Sequence, residues 1–73
     1  MKIFVIYERP KDYPDQFVVR GWTVDFNGDG QARADAAALF APDLVAARKL
    51  IPRGFYNMGR QPEDDPVIAE VWF

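Results

Sequence analysis

The residues best spaced for chemistry are the run Asp25-Phe26-Asn27-Gly28-Asp29-Gly30. Asp25, Asn27 and Asp29 offer oxygens at alternate positions, and Gly30 falls where a calcium loop makes its sharp turn. The second half of that loop is missing. Its ninth position is Arg33, a cation, and its twelfth, which needs a bidentate glutamate, is Ala36, with Asp35 one residue early. Asn-Gly and Asp-Gly are also strong turn signals, so a hairpin turn is the preferred reading and calcium binding the lesser alternative. The other carboxylates, Asp12 with Asp15 and Glu63-Asp64-Asp65, stand beside prolines and read as solvated turns.

Catalysis is poorly supplied. Histidine, cysteine and serine are absent, and Thr23 is the only threonine. Nucleophilic triads, histidine acid–base chemistry and zinc sites built on histidine or cysteine are thereby excluded. Gly28-Asp29-Gly30 lacks the spacing and the lysine of a phosphate loop. An enzyme would have to rely on carboxylate, lysine or tyrosine chemistry, and the expectation is a non-enzyme without a cofactor.

With 73 residues, 49% of them hydrophobic and 27% charged, the chain should form one small globular domain over residues 1–73. No cysteine reinforces it, which fits a cytoplasmic protein. The net charge is −2 and the basic residues are scattered, so nucleic acid is not an expected partner. No apolar stretch is long enough to span a bilayer or to serve as a signal peptide.

The elements can be read in order. Residues 2–7 are apolar at five successive positions, Ile3 to Tyr7, which suits a central strand covered on both faces. Pro10 and Pro14 make residues 8–16 a loop, with Tyr13 able to pack down or to present itself. Residues 17–24 form a second strand, and its Gly21 marks a bulge or a close backbone approach. Residues 31–41 read as extended, with one helical turn as the alternative. Asp43 caps a helix carrying Leu44, Ala47, Leu50 and Ile51 on its apolar side, stopped by Pro52 and left through Gly54. Residues 67–73 are the last strand. The expected fold is α+β: a small antiparallel sheet of three or four strands with one short helix packed on one face. The order is strand, strand, helix, strand.

The run Pro10-Lys11-Asp12-Tyr13-Pro14-Asp15, leading into Phe17-Val18-Val19-Arg20 and Trp22, resembles a group of short uncharacterised bacterial and prophage proteins. The likeness resumes at Leu44, Ala47-Arg48, Ile51-Pro52 and Gly54, and closes with Asp64-Asp65-Pro66-Val67-Ile68 and Glu70-Val71-Trp72. It covers most of the chain outside residues 25–41 and carries no catalytic residue with it. It implies an origin in a mobile element, and by analogy a small accessory protein that binds and inhibits a host protein.

One helix can cover only one side of the sheet. That side is expected to bear Val19 and Val71. The other would carry Val18, Arg20, Trp22 and Val24 from the second strand, Ile68, Glu70 and Trp72 from the last, and Phe4 and Ile6 from the centre. An apolar patch of this kind marks an interface, with a foreign protein or a second copy as partner, unless residues 26–40 or 55–58 fold across it. The calcium alternative has its own test. Calorimetry should register no one-to-one calcium binding in the micromolar range. Such binding, lost on Asp29→Ala, would reinstate the metal site.

Overall fold

The computed structural model describes residues 1–25, 28, 30–60 and 65–73. Five elements follow one another: β1 (Lys2–Glu8), β2 (Phe17–Val24), β3 (Ala32–Ala41), α1 (Leu44–Lys49) and β4 (Ile68–Trp72). The strands form one antiparallel sheet in the order β3-β2-β1-β4. The apolar first strand is therefore interior, with β2 on one side and β4 on the other. Residues 31–41, ambiguous in sequence, supply the third strand, so the element order is strand, strand, strand, helix, strand.

The turns follow from local chemistry. Between β1 and β2, the Tyr13 and Gln16 amides donate to the carbonyls of Pro10 and Tyr13, and the Arg9 amide donates to Gln16 O at 3.1 Å. Arg9 adopts φ +46° there, a left-handed conformation uncommon outside glycine. The β2–β3 hairpin is closed by Gly30 N donating to Asp25 O at 3.1 Å. Asn27 and Asp29, the other two oxygen ligands of the calcium reading, lie outside the described residues, as do Glu63 and Asp64.

Gly21 marks both a close approach and a bulge. The β2–β3 register steps from Arg20↔Ala38 to Trp22↔Ala34, so residues 35–37 bow outward opposite it. The bow lays Asp35 over Gly21, where it pairs with Lys2 and accepts from Thr23 Oγ1. A Cβ on Gly21 would collide with Asp35 Oδ2, in the space the ion pair occupies.

The helix begins as its cap dictates. Asp43 is extended, and its carboxylate accepts from the Ala46 amide at 2.8 Å. Six residues make an isolated helix unstable, so α1 persists by packing. Ala47, wholly buried, lets the helix approach the sheet over Ile6, Phe17, Val19 and Ala41, with Phe4, Leu44, Ile51 and Trp72 around them. Ile6 and Val19 are the largest fully buried side chains. Each contributes about 1.5–3 kcal/mol by leaving water.

Two sheet-face assignments need correction. The faces of β2 are as expected, but Phe4 and Ile6 pair with Gly21 and Val19, and so lie under the helix. Glu70 and Trp72 pair with Ile6 and Phe4 and share that covered face, whereas Val71 opposes Val5 on the other. Alternation sorts the residues of one strand into two sets. It does not say which set is continuous with which set next door; register does. A bulge opposite Ile6/Tyr7 further shifts β4, leaving Ile68 opposite Tyr7.

The connector after the helix also departs from expectation. Tyr56 and Phe73 exchange amide–carbonyl bonds of 3.1 Å, and Met58 N donates to Val71 O at 2.8 Å. Residues 56–59 thus line the free edge of β4, ending where Gly59, at φ +71°, accepts from the Val71 amide.

Val19→Asp should abolish cooperative unfolding, because an unpaired carboxylate cannot be accommodated beneath α1. Val71→Asp, on the open face, should keep a cooperative melt with a lowered midpoint. Thermal melts followed by circular dichroism check both, and an unfolded Val71→Asp would contradict the face assignment.

Candidate protein-binding surface

The face turned away from α1 is apolar across the sheet. Ile3, Val5 and Tyr7 come from β1, and Val18, Arg20, Trp22 and Val24 from β2. Ala38 and Phe40 of β3 oppose Arg20 and Val18. Val71 and the C-terminal Phe73 continue the face, and Tyr56 and Met58 extend it along the outer edge. At that edge Tyr56 is 74% exposed, Met58 49% and Phe73 47%. Val5 and Val18 are nevertheless buried. Trp22 Nε1 donates to Tyr7 Oη at 3.2 Å, which ties two aromatic side chains together across the β1–β2 pair.

One corner is covered from within. Tyr13, from the proline-rich loop, packs against Phe40 in a tilted contact, with ring centroids 4.6 Å apart and planes inclined at 59°. Between this loop and the sheet lies a depression of about 190 Å³, bounded by Tyr7, Pro10, Asp12, Tyr13, Val18 and Arg20. It is smaller than the roughly 300–1,000 Å³ of small-molecule sites and suits a single side chain. The 55–58 stretch does not fold across the face. Phe55 turns the other way and meets Phe4 edge-on at 4.9 Å, on the helix side.

Of the residues expected to share a binding face, Val18, Arg20, Trp22 and Val24 are together on the open side. Phe4, Ile6, Glu70 and Trp72 are not; they belong to the covered side. Ile68 opposes Tyr7 across the bulge and borders a second depression with Glu8, Phe17, Leu44 and Ala69. Sequence reasoning missed Tyr56, Met58 and Phe73 as part of the open face. The apolar connector was a visible signal, but its pairing with β4 was not.

Glu70 has a structural task. Its side chain is buried, and its carboxylate accepts from Arg48 Nε at 3.0 and 3.2 Å and also from Arg48 Nη2. Trp72 Nε1 donates to the same carboxylate at 3.2 Å. The Arg48 hydrogen bonds hold the Glu70 pKa below its ordinary value, against the opposing effect of burial, with Asn57 and Trp72 adding donors. A carboxylate so occupied is a poor general base. Among the described residues no group of three His, Cys, Asp or Glu side chains is placed to hold a metal ion, and no helix is long and apolar enough to cross a membrane.

Compared with protein-family models, with curated proteins and with solved structures, the chain matches none. The surface must therefore be read from its own chemistry.

A carboxyl whose folded pKa is depressed stabilises the fold above its unfolded pKa and loses that contribution as pH falls through the folded value. Below its ordinary value near pH 4.5, the Glu70 contribution should drain away. Glu70→Gln should therefore melt lower than wild type at pH 7, with the gap narrowing in acid. Melts from pH 7 to pH 2.5 test this. Parallel curves would show that Glu70 is not the titrating group.

Proposed function

We propose that this chain is a non-catalytic protein-binding module that works through the open face of its sheet. The observation that carries the reading is that the only helix among the described elements lies on one side, while the other presents Tyr7, Trp22, Val71 and exposed Tyr56, Met58 and Phe73. Apolar continuity of this breadth is characteristic of interfaces, and tryptophan, tyrosine and arginine are the residue types that dominate binding energy. Placing the covered polar group, Glu70, in a satisfied internal network is consistent with a scaffold rather than a reaction centre. The resemblance to small prophage proteins supports a finer reading, a cytoplasmic accessory protein that binds a host protein and inhibits it.

A structural homodimer is the second reading. It is favoured by the same apolar face of the four-stranded sheet, since two such faces can stack about 10 Å apart around a two-fold axis.

Trp22→Ala combined with Tyr56→Ala should weaken association by roughly 30-fold or more while leaving a cooperative melt, because both side chains lie outside the helix-side core. Pull-down from bacterial lysate with wild type and the double variant reads the first effect. Light scattering across concentration separates foreign partner from self-association. A wild type that is monomeric, captures nothing and shields Trp22 from acrylamide would defeat the proposal.

A further inference from the structure

We propose that the open face recognises an apolar protein segment bearing a carboxylate, and that Arg20 is the group that seats it. This rests on the open face being the binding surface, and it specifies the chemistry of the occupant.

Arg20 is the one charged residue the described strands direct to that side. It stands opposite Val5, which in turn opposes Val71, so its guanidinium arises near the middle of the apolar face rather than at its rim. It is half-buried, yet among the described residues it has neither an ion pair nor a hydrogen bond. Several other cations of the fold are engaged. Lys2 holds Asp35, Arg48 holds Glu70, and Arg9 lies over the Phe17 ring at 6.0 Å. Asp12 borders the same depression as Arg20 but is exposed and makes no ion pair with it.

A guanidinium presents five donors in a rigid planar fork whose best complement is a carboxylate held bidentately. Set among Val5, Tyr7, Trp22 and Val71, such a pair would be shielded from water and strengthened accordingly. The 190 Å³ depression beside it, walled by Tyr7 and Tyr13, takes one apolar side chain. The carboxylate belongs on the other flank of Arg20, toward Val5 and Trp22, away from Asp12. A second copy is the poorer occupant. Two-fold packing of this face on itself brings Arg20 toward Arg20, and the described strands direct no carboxylate to that side to separate them.

The test uses a defined probe, a phage-displayed library of random 12-residue peptides selected on the immobilised full chain. Enriched peptides should combine aromatic or branched apolar residues with Asp or Glu at a constant position. In the best peptide, made synthetically, replacing that acid by its amide should weaken binding about tenfold or more. Arg20→Gln should produce the same loss, and combining the two changes should add little. Melts of Arg20→Gln and Trp22→Ala confirm that both variants fold. Peptides that need Trp22 but are indifferent to Arg20, or that carry no selected acid, would overturn the inference while leaving the open face as the binding surface. Peptides indifferent to both, or no enrichment, would overturn both. A wild type found dimeric by sedimentation equilibrium at micromolar concentration, with Trp22 shielded, would also overturn it in favour of self-association.

Discussion

The constraint on which the structure turns is that the one helix among the described residues, six residues long, must close one side of a four-stranded sheet. A sheet has two faces, and a stable layer architecture buries at least one of them. Here the helix is so short that only the closest approach makes it useful. Alanine at position 47 permits that approach, and Ile6 and Val19 fill the space beneath it. The proline-rich loop and the connector after the helix are left to trim the margins: Tyr13 over Phe40 on one side, Phe55 against Phe4 on the other. Neither is broad enough to serve as a second layer.

Within the covered side, the fork between Arg48 and Glu70 does what apolar contacts cannot. Hydrophobic burial is tolerant of small slides, whereas a bidentate ion pair with an added indole donor has one good geometry. It joins the last turn of α1 to β4 and fixes the phase of that strand. A slip by one residue would turn Glu70 to the open face and strand Arg48 without its partner. That is a reason for an acidic residue to stand in the middle of an otherwise apolar strand.

Much of the fold was legible in the sequence because it depends on local chemistry. The Asp43 cap, the interior position of residues 2–7 and the special role of Gly21 all follow from a few neighbouring residues, whereas the helix ends at Lys49 with Leu50 right-handed, short of the exit expected at Gly54. What was not legible depends on how separate segments meet. A strand apolar at every position has no preferred phase, so Ile3, Val5 and Tyr7 and Phe4 and Ile6 were equally good candidates for either face. The β1–β2 register settled the matter. The alanine-rich stretch that became β3 has helical propensity overridden by pairing with β2. Of the residues expected to share one face, accordingly, the β2 set lies on the open side, whereas Phe4, Ile6, Glu70 and Trp72 share the covered side.

The position of the first strand has a consequence for how the chain reaches this state. β1, β2 and β3 pair with their neighbours in sequence, whereas Phe4 waits for Trp72, almost the full length of the chain away. Closing so long a loop adds little to the equilibrium cost, since each doubling of length costs only about 0.6 kcal/mol. The burden is one of time. Contacts between distant segments form late, and until β4 docks, the most apolar strand of the protein has one edge bare. That unpaired edge, present only in the partly folded chain, is where nascent molecules are most prone to adhere to one another.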